Sequence, residues 1–358
     1  MRSFSDIPGQ FAPVPLDLVQ LVGSIEYSRG REQLYEAQAP QILKRLAART
    51  RFDSITASSA IENVILDDQR ALEVLRGSAP GPYRDRSEEE FAGYRDAVDY
   101  LIGKDPEKLT VPLMLHLHRL LMRNTGDPSA GKLKTSDNFI GTDEPGGRSK
   151  VIFKTVPAGK PTEQNLTELV ERYESALESG QVSPLLLISA LILDFLAIHP
   201  FEEGNGRIAR LLTTNELLRN GYGVAKYVSL EQRIFDTKNS YYLALRESQS
   251  GWHKGTHDYL YWARYLLRII EDAYADFEKL MASDTKLVGT TKREQAKNYV
   301  LTHAPRRFQL AQIDDALPDI SQATIRDALD GLRDEGHLTA ERGRGARWER
   351  VPEAEPGA

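Results

Sequence analysis

The chain contains no cysteine among its 358 residues. Disulfide bridges, thiolate metal sites and cysteine nucleophiles are therefore excluded. It also lacks a long unbroken apolar run, because the longest one, residues 185–198, is interrupted by Ser189 and Asp194 and is too short to span a bilayer. The first fifteen residues do not contain the apolar core of a secretory signal peptide. These absences predict a cytoplasmic protein that makes no use of a membrane.

An excess of positive charge is also missing, since 46 Lys and Arg face 52 Asp and Glu and the formal net charge is −6. This balance argues against a chain that mainly binds nucleic acid, although it permits a local basic patch. The length predicts two or three domains. We expect a helical N-terminal region at 1–104, a core at 105–282, a linker at 283–292, a small domain at 293–351 and a disordered tail at 352–358.

What the chain does contain is a dense group of phosphate-handling residues, HPFEEGNGRIAR, at positions 199–210. Long apolar or periodic stretches precede and follow it, so the pattern predicts a helix, a sharp turn and a second helix. Pro200 disfavours helical conformation at His199 and should end the first helix there. Gly204 and Gly206 permit positive φ and close backbone approach, which suits an anion-binding turn at a helix start.

The side chains around this turn fit the same chemistry. Arg207 and Arg210 are three residues apart, share a helix face and can hold the outer phosphates of a nucleotide. Glu203 offers hard oxygen ligands for Mg²⁺, and His199 can take a proton from an attacking hydroxyl near neutral pH. The alternative is a helix–turn–helix corner whose glycines only make the turn, but such a corner needs neither the histidine nor the second arginine.

This segment resembles the signature of the Fic (filamentation induced by cAMP) family, HxFx(D/E)GNGRxxR, and every defined position matches. The resemblance implies a protein adenylyltransferase, which moves AMP from ATP, with Mg²⁺, to a Ser, Thr or Tyr hydroxyl. It implies that His199 is the general base, that Phe201 anchors the turn in the core and that Glu203 binds the metal. The phosphate contacts that it implies are Gly204, Asn205, Gly206, Arg207 and Arg210.

A second pattern lies earlier in the chain, where Ser58, Glu62 and Asn63 stand within SSAIEN. Taken alone, these residues would be a polar helix face near a helix end. They also match the (S/T)xxxE(G/N) pattern of the inhibitory helix found in many Fic proteins, here near 54–64. The resemblance implies that Glu62 pairs with Arg210. This pair would occupy the guanidinium that the γ-phosphate needs, and the carboxylate would repel the nucleotide.

Residues 131–157 interrupt the helical pattern with clustered glycines, a strand-like VIF at 151–153 and a Pro-Gly-Gly turn at 145–147. A β-hairpin is predicted. In the Fic family a hairpin flap stands at this place and aligns the target segment by strand addition. This implies three target-docking residues, Val151, Ile152 and Phe153. The chain departs from the family at 131–134, where GKLK replaces Gly-x-Tyr/Phe-Arg, and it has fewer prolines after the flap. These departures weaken any carry-over of target specificity, though not of the chemistry.

Further candidates stand on either side of the signature. Tyr241 and Tyr242 resemble the tyrosines that line the nucleoside pocket of the family, although two tyrosines packed in a core would give the same pattern. Gln249 is a weaker candidate for a contact to adenine. His116 and His118 are two residues apart on a predicted helix and so do not share a face, which predicts surface or boundary positions rather than metal ligands.

The region 293–351 resembles a winged helix, with a helix at 321–335 in the recognition position and a basic wing at Arg342, Arg344 and Arg347. The candidate recognition helix carries two arginines against four acidic residues, which makes a poor surface for a phosphate backbone. DNA is therefore a weaker candidate partner than a protein or a second copy of the chain in a homodimer.

The predicted fold is mainly α: a Fic helical bundle around the apolar 185–198 helix, with one β-hairpin flap and a small winged-helix domain. The predicted function is AMP transfer to an unknown protein substrate or to the chain itself, restrained by Glu62. One alternative is a nucleotide-sensing transcriptional regulator, which would not need His199. Another is the removal of AMP by the same site, with Glu62 positioning a water.

Overall fold

The computed structural model describes residues 2–4, 11–78, 82–144, 148–285, 291–340 and 347–351. The prediction of a mainly α fold is confirmed, because helices hold most of these residues and their strands form two small antiparallel sheets. Within this part of the chain, no helix is both long and apolar enough to cross a bilayer.

The region before the hairpin is helical. Its helices are α1 (Leu16–Gln38), α2 (Pro40–Ile61), α3 (Asp68–Leu75), α4 (Arg86–Ile102) and α5 (Val111–Met122). Asp67, Asp85 and Thr110 precede α3, α4 and α5, and each side chain accepts a backbone N–H from the first turn. These caps satisfy donors that the helix itself leaves unpaired and so fix where the three helices begin.

The predicted hairpin is present and consists of β1 (Phe139–Glu144) and β2 (Arg148–Lys154), which pair antiparallel with a register shift between Ile140 and Gly141. The Pro-Gly-Gly turn predicted at 145–147 lies outside the described residues.

The signature lies between two of the next three helices, α6 (Lys160–Ser179), α7 (Pro184–Ile198) and α8 (Asn205–Arg219). Every residue from 185 to 198 is buried, so the prediction of a central buried helix is confirmed. Burial on all sides is what an apolar run without a polar face requires. The chain leaves α7 at His199, whose left-handed backbone (φ 53°, ψ 63°) ends the helix, as the following proline predicts.

The bundle is completed by a short 3₁₀ turn (Gly223–Lys226), α9 (Leu230–Asp236), α10 (Lys238–Gln249), a second 3₁₀ turn (Trp252–Lys254) and α11 (Leu260–Thr285). Helix α11 packs against α1, α7 and α10, and a single hydrophobic core joins the N-terminal helices to these later ones. Because α11 runs to Thr285, it enters the segment expected to be a linker.

The C-terminal unit has its own hydrophobic core. Its elements are α12 (Lys292–Thr302), β3 (Arg307–Gln309), α13 (Leu310–Ala316), α14 (Gln322–Asp334), β4 (Leu338–Ala340) and β5 (Arg347–Arg350), with the sheet order β3–β5–β4. Helix α14 corresponds to the helix predicted at 321–335. Arg342 and Arg344 of the predicted wing and the predicted tail at 352–358 lie outside the described residues, whereas Arg347 begins β5.

This unit packs on the helix that carries the predicted inhibitory residues. Helix α13 contacts α2, and Arg76, just after α3, donates from Nε to Asp315 Oδ2 at 2.7 Å and from Nη2 to the carbonyl oxygen of Ala311 at 2.8 Å. The C-terminal unit and α2 are therefore in direct contact.

Candidate active site

The signature forms a tight turn between α7 and α8, and two of its residues fix the shape of that turn. Gly204 has φ 79°, and a β-carbon added to it would stand 2.7 Å from Leu121 Cδ2, so both its conformation and its surroundings require glycine. The Asn205 side chain accepts from the backbone N–H of Phe201 at 3.0 Å and donates to the Phe201 carbonyl at 2.8 Å. Asn205 thus clamps the turn, and only its backbone is left to contact a phosphate.

His199 has the geometry of a general base. Its Nδ1 lies 3.2 Å from the carbonyl oxygen of Leu196, and because that oxygen can only accept, Nδ1 carries the proton and Nε2 keeps a free lone pair. Burial lowers the pKa of His199 to about 4, so the ring is neutral at pH 7. The residue also lines the main cavity of the site.

The predicted pair between Glu62 and Arg210 is present. Arg210 Nη2 lies 2.9 Å from Glu62 Oε1 and 3.1 Å from the carbonyl oxygen of Ser58, and Arg210 Nε donates to Ser58 Oγ at 2.7 Å. Burial opposes the charge on Glu62, but Arg210 outweighs burial and the pKa of Glu62 is lowered. Asn63 follows with φ 63°, a left-handed conformation that asparagine tolerates, and so ends the helical path of α2.

Arg207 is buried and pairs with Glu90 of α4, whose Oε2 lies 2.9 Å from Arg207 Nη2. Its Nε and Nη1 are buried without a partner, and so is Nη1 of Arg210. Three guanidinium nitrogens beside the turn are therefore left without an acceptor. Such groups are costly to bury unless a ligand supplies the missing oxygens.

Glu203 carries the predicted metal-ligating carboxylate, and its side chain is half exposed and pairs with Arg86 at the start of α4. The described residues contain no group of three or more His, Cys, Asp or Glu that could hold a metal ion by themselves. The predicted metal-ligating set is therefore the single carboxylate of Glu203, and the guanidinium groups of the signature suit phosphate oxygens rather than a cation. A single carboxylate suits Mg²⁺ that is shared with substrate phosphates rather than a cage built by protein alone.

A cavity of about 710 Å³ opens above the turn. Residues of the hairpin and of α10 form its walls, and the turn and Glu62 form its floor: Ile140, Ile152, Tyr241, Tyr242, Gln249, Glu62, Gly204, Asn205 and Gly206 all line it. Tyr241 is buried and meets Tyr242 edge-on at 5.1 Å, whereas Tyr242 is 45% exposed. The buried Nε2 of Gln249 has no partner, so it is free to bind a ligand.

The three predicted flap residues occupy different places. Ile152 lines the cavity, and Val151 is exposed. Phe153 stacks on His253, with ring centroids 5.1 Å apart, and His253 Nε2 lies 2.6 Å from the carbonyl oxygen of Lys154. Phe153 therefore anchors the hairpin to the segment after α10, while the other two residues are available for a ligand or target.

The prediction of a surface or boundary position for His118 is wrong, because the residue is fully buried beneath the turn. Its Nδ1 accepts from the backbone N–H of Gly131 at 3.0 Å, so Nε2 carries the proton and donates to the carbonyl oxygen of Glu203 at 3.2 Å. The ring stacks on Phe201 at 4.0 Å. The spacing of residues along α5 could have predicted this burial, because His118 shares a helix face with the buried Met114 and Leu121.

Lys134 is a further residue whose role the sequence did not reveal, although it stands in the segment that departs from the family pattern. It is 1% exposed, and its Nζ donates to Asn138 Oδ1 at 2.8 Å, Thr155 Oγ1 at 2.9 Å and the carbonyl oxygen of Ile198 at 3.0 Å. Burial lowers the pKa of Lys134 to about 8. The side chain thus ties both ends of the hairpin to the last residue before His199.

Residues 108–217, which run from just before α5 to near the end of α8, match the model of the Fic/DOC family. Among the relatives, the protein adenylyltransferase fic-1 of Caenorhabditis elegans is 24% identical over 199 residues, which are 54% of this chain and 36% of the relative. The protein adenylyltransferase Fic of Drosophila grimshawi is 28% identical over 214 residues, or 58% and 41% of the two chains. The matched part thus spans about two fifths of these relatives.

Solved structures share the fold. A Fic family protein from Desulfovibrio desulfuricans G20 aligns with a TM-score of 0.61 at 22% identity and covers 96% of this chain and 98% of its own. Fic-1 (residues 134–508) from C. elegans aligns with a TM-score of 0.57 at 19% identity over 75% of this chain and 73% of its own. The signature and nearly all of the two helices that flank it lie within residues 108–217, the part of the chain that matches the Fic/DOC family model.

Proposed function

We propose that this chain is a protein adenylyltransferase that moves AMP from ATP to a Ser, Thr or Tyr hydroxyl of a target protein or of itself. The observation that carries the proposal is the set of three buried, unpartnered guanidinium nitrogens on Arg207 and Arg210, in the same turn as a neutral His199. Phosphate oxygens are strong acceptors for guanidinium groups. The matched relatives are named protein adenylyltransferases, which supports the same activity.

The cavity suits a nucleoside triphosphate. The turn from Gly204 to Gly206 opens α8, so the positive end of the helix dipole and the first backbone N–H groups favour phosphates there. Arg207 and Arg210 then bind the outer phosphates. On the wall formed by α10, Tyr241 and Tyr242 contact the nucleoside, and the free Nε2 of Gln249 is available to the base.

The chemistry follows from the placement of His199. Its Nε2 takes the proton of the target hydroxyl while the hydroxyl oxygen bonds to the α-phosphorus. The bond from that phosphorus to the oxygen bridging it to the β-phosphate breaks, and pyrophosphate leaves. Glu203 would hold Mg²⁺ together with phosphate oxygens, and the bound ion would neutralise part of the negative charge of the phosphates.

The hairpin is proposed to hold the target. Ile152 faces the cavity and Val151 is exposed on the same strand, while the stacking of Phe153 on His253 keeps the strand in place. An extended target segment would add to a strand edge by main-chain hydrogen bonds. A segment of a second copy of this chain is one such target, which is consistent with self-modification and with a homodimer.

The contact between Glu62 and Arg210 is proposed to be an inhibitory one. Glu62 lines the nucleotide cavity, and its Oε1 lies 2.4 Å from the point where a β-carbon of residue 206 would stand. A negative charge directly over the phosphate-binding turn repels the triphosphate, and it withholds the Arg210 guanidinium from the γ-phosphate. ATP then binds weakly or in a pose that does not allow in-line attack.

Removal of AMP is a second candidate function that one observation favours. The Glu62 side chain is one-third exposed to the cavity, so its carboxylate could orient a water for attack on a phosphodiester. Incubation of an AMP-modified form of the chain with wild type, followed by mass spectrometry, separates the two directions. Loss of AMP that requires Glu62 would favour removal.

A nucleotide-sensing regulator that binds DNA through the C-terminal unit is less well supported. On the candidate recognition helix α14, Arg333 is engaged by Asp330 at 2.8 Å and by Asp334 at 3.5 Å. Arginines held by neighbouring carboxylates are poor phosphate ligands. A role in contacting another protein fits the charges of this unit better. A measured DNA affinity that falls steeply with salt would contradict this role.

Intact-mass spectrometry after incubation with ATP and Mg²⁺ tests the proposed function. The wild-type chain, Glu62→Gly and Glu62→Gly/His199→Ala are compared. An AMP-sized gain on Glu62→Gly that disappears in the double variant is the expected result, because the first change frees Arg210 and the second removes the base. If none of the three gains mass while ATP still binds, transfer to the chain itself is excluded and the AMP-removing activity gains support.

A further inference from the structure

Two residues on one face of α4, Arg86 and Glu90, contact the signature and are not among the residues that line the cavity. Arg86 Nε donates to Glu90 Oε1 at 2.7 Å, and Glu90 Oε2 lies 2.9 Å from Arg207 Nη2. Arg86 also pairs with the carboxylate of Glu203. The order Arg207, Glu90, Arg86, Glu203 is a chain of alternating charges, and its two ends are the residues proposed to bind phosphate and metal.

Glu62 and Glu90 make the same kind of contact but stand in different places. Each holds Nη2 of a signature arginine at 2.9 Å. Glu62 lines the cavity above the turn, and together with Ser58 it leaves Arg210 with one unpartnered nitrogen. It therefore stands where a phosphate would bind.

Glu90, in contrast, is not among the residues that line the cavity, and its side chain is only 11% exposed. It occupies one nitrogen of Arg207 and leaves Nε and Nη1 without a partner. It thus holds one nitrogen of the guanidinium while two donors remain free for a ligand.

We propose that Glu90 is a positioning residue that orients Arg207 for the nucleotide phosphates, and that Arg86 extends this support to Glu203. A buried guanidinium needs a fixed counter-charge, because an unpaired charge in the interior is strongly disfavoured. Glu90 supplies that counter-charge to Arg207 without entering the phosphate site. The inference rests on the proposed function, since it assumes that Arg207 binds a nucleotide.

The two ion pairs are expected to contribute differently to nucleotide binding. The pair of Glu90 with Arg207 is buried, whereas Arg86 and Glu203 are both about half exposed, at 53% and 54%. Exposed ion pairs contribute little. Glu90→Gln should therefore weaken nucleotide binding by about tenfold, and Arg86→Gln by about two- to threefold.

Binding is measured by calorimetry with a non-hydrolysable ATP analogue and Mg²⁺, in chains that all carry Glu62→Gly so that Arg210 is free. Glu88→Gln is the matched control. It breaks a similarly buried pair between the same helix and α3, because Glu88 holds Arg70 through two contacts of 2.7 Å, but Glu88 does not touch the signature. The unfolding midpoint without nucleotide is recorded for each variant.

The expected result is that Glu88→Gln lowers the unfolding midpoint and leaves the dissociation constant of the analogue unchanged, whereas Glu90→Gln raises that constant. The double variant Glu90→Gln/Arg207→Gln should bind no more weakly than Arg207→Gln, because Glu90 acts through Arg207. A merely structural role would make the two losses add.

The possible failures are distinguishable. If Glu90→Gln leaves affinity unchanged, or tightens binding as a second inhibitory contact would, the positioning role is overturned while the nucleotide site stands. If the Glu62→Gly parent itself binds no analogue, the proposed nucleotide site is overturned and the support of Arg207 with it.

Discussion

Glu62 Oε1 lies 2.9 Å from Nη2 of Arg210, and Glu62 belongs to the floor of the proposed nucleotide site. Arg210 is 3% exposed, so the carboxylate of Glu62 balances the positive charge of a guanidinium that is removed from water. The same contact thus stabilises the fold and is the one proposed to block the site, so we expect activation to cost stability.

Glu62→Gly should therefore lower the free energy of unfolding by about 2–3 kcal/mol, since one partner of a largely buried pair is lost and Ser58 still holds part of the guanidinium. Denaturant unfolding at pH 7 measures the loss. ATP with Mg²⁺ at about a hundred times its dissociation constant should restore about 2.7 kcal/mol. Glu88→Gln destabilises the chain at a place away from the site, so ATP should raise its free energy of unfolding by no more than it does for the wild type. Equal gains in all three chains would contradict this link between inhibition and stability.

The inhibition should not depend on pH near neutrality. The pKa of Glu62 is lowered because Arg210 outweighs the effect of burial, so a stabilising contribution of this carboxylate is present above its unfolded pKa and is lost only as pH falls through the lower folded value. His199, with its pKa lowered to about 4 by burial, remains a neutral base over the same range.

The ratio of AMP transfer by Glu62→Gly to that by wild type is thus expected to stay constant between about pH 6 and pH 9. Initial rates from mass spectrometry at several pH values measure it. A ratio that decreases steadily as pH falls from 7 to 6 would mean that Glu62 is protonated near neutrality and that the pair with Arg210 is weaker than its geometry indicates.

His118 supports the turn from below, and replacing it should distinguish this fully buried histidine of α5 from the half-buried His116. His118→Leu keeps an apolar group against Phe201 but leaves the Gly131 N–H and the Glu203 carbonyl without partners. A loss of about 2–3 kcal/mol in unfolding free energy is expected. His116→Leu, on the neighbouring face, is the matched control and should change stability by less than about 0.5 kcal/mol. Equal losses would show that the hydrogen bonds of His118 contribute nothing specific.

The central helix and the signature turn were predictable because their determinants are local. An apolar run without a polar face can only be buried, Pro200 ends it, and Gly204 permits the left-handed start of α8. The pair of Glu62 with Arg210 was found through the family resemblance rather than from spacing. The two residues are 148 positions apart, and no periodicity connects them.

The contacts of Arg86, Glu90 and Lys134 were not predictable for the same reason. Apart from the pair of Arg86 with Glu90 within α4, the contacts that matter join distant elements, and each side chain taken alone is typical of a solvated surface. Only the packing of α4 and of the hairpin against the signature makes these contacts, and it buries Glu90 and Lys134 while Arg86 stays half exposed. Sequence patterns identify which residues carry the chemistry, whereas the residues that hold them in place emerge from the tertiary fold.

Swapping the charges of two contacting residues tests the docking of the C-terminal unit on α2. Arg76 holds Asp315 and the carbonyl oxygen of Ala311, so Asp315→Arg places two positive charges together at this contact. Faster amide hydrogen exchange is expected in the middle of α2, because the helix loses its cover there. The double variant Arg76→Asp/Asp315→Arg reverses both charges and should restore slow amide hydrogen exchange in α2. If Asp315→Arg leaves exchange in α2 unchanged, the contact does not shield the helix.

The buried ammonium of Lys134 allows a prediction about stability at alkaline pH. Burial lowers its pKa to about 8, whereas an unfolded chain would titrate it near 10.4. Between these values the unfolded state binds more protons than the folded state, so the contribution of Lys134 to stability should rise with pH and level off above about 10.4. Lys134→Met removes the titration and leaves Asn138 Oδ1 and the Ile198 carbonyl without their donor.

The difference in unfolding free energy between wild type and Lys134→Met should therefore grow in favour of wild type from about pH 8 to pH 10.4. Denaturant unfolding of both chains across this range measures it, and tyrosines that titrate in the same range cancel in the difference. Lys132→Met, two residues earlier, is the control and should leave the pH dependence of wild type unchanged. If the difference shrinks as pH rises, the buried ammonium is stabilised by its three acceptors more than burial disfavours it, and its folded pKa lies above the unfolded one.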